Sequence, residues 1–170
     1  MKLPKLSIGK IKLKNCLMLA PMAGITDLPL RELAAQGGAG LVYTEMVSAT
    51  ALVHKDKKTL KLLATSENET VVAAQIFGTK PEIMSECAKM IQDLGYKIID
   101  INLGCPAKKI AKSGAGVKLL ENPKNVENIL KAVVKGVSVP VTAKIRIGLI
   151  EGQNIAPEII SFFFVHLSIS

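Results

Sequence analysis

Five short apolar runs recur along the sequence, and a segment with helical character separates each run from the next. The runs start near residues 17, 40, 71, 97 and 140. Strands that alternate with helices in this way form a parallel sheet through right-handed crossovers. Before them, Ile8–Leu13 alternates apolar and charged residues around a glycine turn, which is typical of a short β-hairpin. The pattern predicts an α/β fold, either an open doubly wound sheet or about five parallel units of an eight-stranded barrel.

The loop after the first run distinguishes these two folds. A doubly wound dinucleotide-binding domain carries G-x-G-x-x-G at this point, whereas this chain has the segment Ala20–Gly24, APMAG. The later runs carry polar or charged side chains at their carboxyl ends, namely Glu45, Gln75, Asn102, Lys144 and Arg146. Side chains that converge from several strand ends form the active site of a TIM (β/α)8 barrel. We therefore predict the N-terminal part of such a barrel, with a ligand site at the carboxyl edge of its sheet.

The fourth run carries the strongest candidate for a catalytic group. Residues 97–106 begin as a buried strand and then bring three polar side chains to its carboxyl end, Asp100, Asn102 and Cys105. A glycine and a proline flank the thiol, which places Cys105 in a rigid loop rather than in a packed core. Lys108 and Lys109 follow closely, and nearby cations stabilise a thiolate. Cys105 is therefore the candidate catalytic residue.

Some of these residues also have a structural explanation. Gln75 could satisfy backbone groups inside the core, and Gly114 with Gly116 could form an ordinary turn or admit a ligand close to the backbone. Lys144 is harder to explain in this way, because it stands inside an apolar strand and a buried ammonium group is costly without a partner. A functional role is therefore favoured for Lys144.

Cap residues mark the helices between the runs. Thr26 or Asp27 can begin the first helix, and Asn122 can begin a later one. Thr79 with Glu82 fits a capping box. Residues 48–63 have a mostly helical pattern as well.

Composition limits the classes of function. Three cysteines, Cys16, Cys87 and Cys105, are too few and too scattered for a disulfide framework or a metal site, which favours a cytoplasmic protein. Cys87 lies on an apolar helical face, so packing explains it. No apolar run approaches the roughly 20 residues that cross a bilayer, and we expect no membrane partner. The net charge of +8 fits either a polyanionic partner or a generally lysine-rich surface.

Four motifs follow one another along residues 5 to 148. They are Leu19–Arg31 (LAPMAGITDLPLR), Gln75–Gly78 (QIFG), Asp100–Pro106 (DINLGCP) and Lys144–Arg146 (KIR). Together they resemble the tRNA-dihydrouridine synthase family, and in particular its bacterial B-type branch. The Asn-x-Gly-Cys-Pro element is the most specific of the four.

The resemblance implies an FMN-containing TIM barrel that reduces specific uridines in tRNA and is followed, in the family, by a helical domain. It implies that Pro21, Met22 and Ala23 line the flavin and that Gln75 and Lys144 hydrogen-bond its ring. NADPH, or NADH, would then be the electron source that reduces the flavin again.

The same resemblance assigns the substrate side of the site. It implies that Cys105 donates the proton to uracil C5 and that Asn102 helps to hold the flavin or the target uracil. Arg146 is expected to bind substrate. tRNA is the expected partner, and a full-length chain is expected to be a monomer.

The sequence also departs from the family. Strands six to eight, the histidine loop, the phosphate-binding loops and the helical domain have no counterpart, so we expect a truncated or frameshifted product of such a gene. Residues 1–148 would be the barrel part and residues 149–170 a divergent tail, possibly read out of frame. Within that tail, Pro157 and the aromatic run Phe162–Phe164 fit a sixth crossover helix poorly.

Two other functions stay open at this point. One is a flavoprotein similar to dihydroorotate or dihydropyrimidine dehydrogenase, which would act on a free base. The other is an inactive or RNA-binding fragment of a tRNA-dihydrouridine synthase, which the positive charge favours.

Overall fold

Eight β-strands and seven α-helices form within the part of the chain that the computed structural model describes, residues 4–148 and 152–167. The strands are β1 (Leu6–Ile8), β2 (Ile11–Leu13), β3 (Met18–Leu19), β4 (Leu41–Tyr43), β5 (Val47–Ser48), β6 (Val71–Phe77), β7 (Ile98–Leu103) and β8 (Val141–Ile145). The helices are α1 (Leu28–Gln36), α2 (Ala49–Val53), α3 (Lys57–Lys61), α4 (Pro81–Asp93), α5 (Lys108–Lys112), α6 (Pro123–Gly136) and α7 (Ala156–Leu167), with a 3₁₀ helix at Gly116–Glu121. None of these helices is long and apolar enough to cross a membrane.

The main sheet is parallel throughout, and its strands lie in the order β3-β4-β6-β7-β8. The short strand β5 pairs with β6 beyond the end of β4. Within this sheet, apart from β5, strands that follow each other in the chain are therefore neighbours in space. A doubly wound sheet reverses its order at a switch point, whereas a barrel adds its strands in sequence. The predicted fold, the N-terminal part of a (β/α)8 barrel, is confirmed.

Helices cover one face of this sheet. Along β7, Ile99, Ile101 and Leu103 alternate toward that face, and all three are fully buried in the main core. Helix α4 contributes Met84 and Cys87 to the same core, which confirms the packing role predicted for Cys87. Burial of one such aliphatic side chain contributes about 1.5–3 kcal/mol, so this helix-covered face is the main source of apolar stabilisation.

The predicted hairpin is present and covers the amino end of the opposite face. β1 and β2 pair antiparallel, with Leu6 opposite Leu13. Leu13 then packs against Leu41, Ala73 and Ile98, which come from three central strands. These apolar side chains fill the amino end of the barrel segment, and the carboxyl ends of the strands are left for the polar residues.

The predicted cap of α4 is wrong, while two others are confirmed. Asp27 caps α1, and Asn122 caps α6 by accepting a hydrogen bond from a backbone N–H. Helix α4 instead begins after Lys80, which makes no side-chain capping bond. Glu82 therefore stands at the second helical position rather than the third that a capping box requires, and Thr79 lies one residue too early.

The helical stretch predicted at 48–63 is two short helices rather than one. Lys55 lies between α2 and α3 with a left-handed backbone, φ 57°, and such a residue cannot continue a right-handed helix. Asp56 then begins α3, because its Oδ1 accepts a hydrogen bond from the backbone N–H of Thr59 at 2.8 Å.

The region after β8 forms a helix that the sequence pattern disfavoured. α7 begins at Ala156, so Pro157 lies in its first turn, where the missing N–H breaks no helical hydrogen bond. Ile159 of this helix is fully buried in the main core, and Phe162 packs against it. The division into residues 1–148 and a divergent tail 149–170 stays a prediction, and residues 149–151 and 168–170 lie outside the described residues.

Candidate active site

The carboxyl ends of the strands surround an open cleft of about 190 Å³. Its walls come from the loop after β3, the segment after β4, strands β6 and β7, the loop after β7 and the end of β8. The lining residues are Pro21, Ala23, Met46, Gln75, Asn102, Gly104, Cys105, Pro106, Lys144 and Arg146. This cleft therefore brings together every residue that the sequence predicts for the site except Met22.

Two side-chain amides form the floor of the cleft. Gln75 and Asn102 are 1% and 7% exposed, and Asn102 Nδ2 donates to Gln75 Oε1 at 2.8 Å. Gln75 Nε2 in turn donates to Asp100 Oδ2 at 2.6 Å. The side chain of Gln75 thus forms hydrogen bonds with two other side chains. The alternative role, in which it satisfies backbone groups inside the core, does not describe these contacts.

The Cys105 loop is held from three sides. Asn102 Oδ1 accepts hydrogen bonds from the backbone N–H groups of Gly104 and Cys105, at 3.2 and 2.9 Å. The backbone N–H of Val117 donates to the carbonyl oxygen of Cys105 at 3.1 Å. Arg146 Nε donates to the carbonyl oxygen of Gly104 at 2.6 Å. The thiol is half-buried, and the backbone N–H and carbonyl groups of Gly104 and Cys105 are therefore all hydrogen-bonded.

A buried carboxylate lies behind the amide pair. Asp100 is 2% exposed, and Thr142 Oγ1 donates to its Oδ1 at 2.6 Å. Burial raises the pKa of Asp100, while the hydrogen bonds from Gln75 and Thr142 and the charge of Lys144 oppose that rise. Burial, together with the charge of Asp100, raises the pKa of Tyr43 to about 12, so this phenol is neutral at physiological pH.

Two cations line the rim on the side of β8. Lys144 lies opposite Asn102 in the strand register and is exposed rather than buried. The expectation of a buried ammonium group was therefore wrong, because Lys144 stands near the carboxyl end of β8, where the strand borders the open cleft. Arg146 is exposed as well, and its hydrogen bond to Gly104 uses only its Nε.

The loop after β3 contributes a proline and an alanine to the cleft, but not Met22. The Met22 N–H donates to Thr26 Oγ1 at 3.0 Å, and its carbonyl oxygen accepts from the same hydroxyl at 3.1 Å. This tight turn leaves the Met22 side chain 37% exposed. Glu45 accepts a hydrogen bond from the N–H of Gly24 and so connects this loop with the one after β4.

Sequence reasoning assigned no role to three residues around the site, although it placed Asp100 at the carboxyl end of its strand. Met46 lines the cleft, while Asp100 and Thr142 form the layer below it. The signal was available for the last two, because side chains two residues apart on a strand share a face. Asp100 lies two residues before Asn102, and Thr142 lies two residues before Lys144.

The family model described as dihydrouridine synthase matches residues 18–162. The chain belongs to this family. The resemblance carried by the four motifs is therefore confirmed, and the matched region includes all eight predicted site residues.

Relatives within the dihydrouridine synthase family are similar over most of this chain. It is 46% identical over 143 residues to tRNA-dihydrouridine synthase B of Vibrio parahaemolyticus, which covers 84% of this chain and 44% of the relative. Identity to tRNA-dihydrouridine synthase B of Proteus vulgaris is 48%, over 83% of this chain and 44% of that one. A probable tRNA-dihydrouridine synthase of Rickettsia prowazekii is 40% identical, over 89% and 47%. The chain spans about half the length of these curated relatives.

The fold also has a counterpart among solved structures. Histamine dehydrogenase from Rhizobium sp. 4-9 superposes with a TM-score of 0.54 and 14% identity, over 85% of this chain and 33% of that one. At this identity the likeness supports the fold alone.

Proposed function

We propose that the whole protein uses this cleft to reduce the C5=C6 bond of specific uridines in tRNA. The observation that carries the proposal is that a half-buried thiol, two cations and a bonded amide pair line one cleft. Membership of the dihydrouridine synthase family supports the reaction. The relatives that are tRNA-dihydrouridine synthases support tRNA as the substrate.

The hydrogen-bond donors in the cleft fit the acceptor-rich edge of a flavin ring. Gln75 Nε2 donates one N–H to Asp100, and an amide nitrogen carries a second N–H. Lys144 adds a positive charge at the rim, where it would stabilise negative charge on the ring. A reduced flavin, when bound, supplies hydride to uracil C6. The family resemblance supports FMN as that flavin and NADPH, or NADH, as the electron source.

Cys105 would supply the proton. A positioned thiol is a competent general acid, and the Cys105 backbone is fixed by hydrogen bonds on both sides of the side chain. Its Sγ–H would donate to uracil C5 as hydride reaches C6, which leaves a thiolate that water protonates again. Asn102 donates to Gln75 and Met46 and accepts from the cysteine loop, so its predicted role in substrate binding stays a proposal.

Exposed lysines beside the thiol support a nucleic-acid substrate. Lys108, Lys109 and Lys112 belong to α5, which begins three residues after Cys105, and all three are exposed. Lysines near the reacting group attract phosphates without reading sequence. A uridine that reaches the cleft must leave its stack in the tRNA, and phosphate contacts at the rim would hold the flanking nucleotides.

A flavin titration tests the cofactor part of the proposal. FMN fluorescence is followed as the chain is added, for the parent, Lys144→Met and Lys118→Met. Lys118 is an exposed lysine outside the cleft and serves as the matched control. We expect Lys144→Met to weaken FMN binding by about tenfold or more, as loss of one charged contact implies, and the control to leave it unchanged. Equal affinities for all three proteins would contradict the assignment of Lys144.

The substrate part is tested with the whole protein and two substrates. Unmodified tRNA transcript and free uracil are offered at equal concentration, with FMN and NADPH present. Dihydrouridine in the tRNA is the expected product. Reduction of free uracil at the same rate would instead indicate a flavoprotein that acts on a free base.

A further inference from the structure

Asp100 is a buried carboxyl group that the reaction proposed above does not use directly. It is 2% exposed and does not line the cleft. A carboxylate in this position is costly unless each oxygen is hydrogen-bonded. Both oxygens are, since Thr142 donates to one and Gln75 to the other, each at 2.6 Å.

The hydrogen bonds from Asp100 to the cysteine loop run in one direction. An ionised carboxylate only accepts, so Gln75 must present its Nε2 to Asp100. Its Oε1 then faces Asn102, which must present Nδ2, at 2.8 Å. Asn102 Oδ1 is left for the backbone N–H groups of Gly104 and Cys105. Each amide therefore has one orientation that satisfies both of its neighbours.

We infer that Asp100 is a positioning residue that fixes the Cys105 loop through the amides of Gln75 and Asn102. It also occupies only one N–H of Gln75, a residue that lines the cleft. The use of the positioned thiol rests on the proposed function, whereas the fixing of the loop does not.

Charge makes this role physically effective. A hydrogen bond to a carboxylate is roughly twice as strong as one between neutral groups, and bonds in a buried chain polarise one another. Without the charge at Asp100, either face of the Gln75 amide is an acceptable partner for its neighbour. The Asn102 amide then loses one of its two constraints, and the N–H of Cys105 loses a fixed acceptor.

Amide hydrogen exchange of the chain without flavin or tRNA tests the inference. The measured quantity is the exchange rate of the Cys105 N–H divided by that of Ile101, which lies in the middle of β7 and reports opening of the sheet. Three variants are compared with the parent. Asp100→Leu removes the acceptor, and Asp100→Asn keeps an acceptor oxygen without the charge. Thr142→Val removes the other hydrogen bond of the same carboxylate and is the matched control.

We expect Asp100→Leu to raise the ratio by about tenfold or more. Asp100→Asn should give a smaller rise, and Thr142→Val should stay within about twofold of the parent. An unchanged ratio in Asp100→Leu would overturn the inference, because both rates would then report general destabilisation. If Asp100→Leu does not fold, Asp100→Asn decides: a ratio above that of Thr142→Val supports the inference, and equal ratios overturn it. The measurement needs no turnover, so its failure leaves the proposed function standing.

Discussion

Gly116 allows the turn that follows α5 to approach the Cys105 loop, and an added methyl group there tests how tightly that loop is held. Gly116 has a left-handed backbone, φ +63°, and a Cβ on it would lie 2.7 Å from the Cys105 carbonyl oxygen and 3.0 Å from Ile110 Cγ2. Gly114 is the matched control. Its backbone is also left-handed, φ +80°, but its Cβ would come no closer than 3.5 Å, to Thr79.

The two substitutions share one cost and differ in the other. Alanine in a left-handed conformation costs about 1–2 kcal/mol, and this applies to Gly114→Ala and Gly116→Ala alike. Overlap with packed atoms adds about 1–3 kcal/mol, and this applies to Gly116→Ala alone. We therefore expect a loss of about 1–2 kcal/mol for Gly114→Ala and about 2–5 kcal/mol for Gly116→Ala.

Urea unfolding measures these losses, and alkylation measures their effect on the site. Unfolding is followed by circular dichroism at 25 °C for both variants and the parent. The rate at which iodoacetamide labels Cys105, located by peptide mass spectrometry, should change in Gly116→Ala and stay near the parent value in Gly114→Ala. Equal losses of stability together with equal labelling rates would refute the claim that Gly116 supports the cysteine loop.

Two further predictions concern stability. Arg31 and Glu69 form an ion pair in which both side chains are 1% exposed, so Arg31→Met leaves a buried carboxylate and should cost about 3–5 kcal/mol in urea unfolding. Lys118→Met removes a surface partner and should cost no more than about 1 kcal/mol; similar losses would contradict the role of burial. Burial raises the pKa of Cys87 from its ordinary value of 9.0 to about 12, so the folded state keeps a proton that the unfolded state loses. This group should therefore lower the free energy of unfolding between pH 9 and 12 by about 1.4 kcal/mol per pH unit. Cys87→Ala should reduce the measured slope by that amount. An unchanged slope in Cys87→Ala would contradict the raised pKa of the thiol.

The sequence predicted the fold and most of the candidate site because both depend on local patterns. Alternating strands and helices determine a parallel sheet, and polar side chains at the strand ends must then meet at one edge. Gln75, Asn102 and Lys144 were found in this way. What failed depends on geometry that the residue pattern does not specify. The exposure of Lys144 follows from the open cleft beside β8, and the break at Lys55 follows from one backbone angle.

The hydrogen-bonded pairs in the polar layer below the cleft required the register between strands. Gln75 lies opposite Asp100, and Asp100 lies opposite Thr142. No spacing within one strand specifies these pairs. The direction of the amide hydrogen bonds follows only after the register is known, which is why the sequence placed Asp100 at the strand end but assigned it no role.

Product formation by a Cys105→Ala variant tests most directly whether Cys105 donates a proton in this cleft. Dihydrouridine formed in an unmodified tRNA transcript is counted for the whole protein, with FMN and NADPH supplied. Cys16→Ala is the control, because Cys16 is also a half-buried free thiol but does not line the cleft. We predict that Cys105→Ala loses about 10²-fold or more in rate while its FMN affinity and the Cys16→Ala rate stay unchanged. A Cys105→Ala variant that reduces uridine at the parent rate would contradict the role of Cys105 as proton donor.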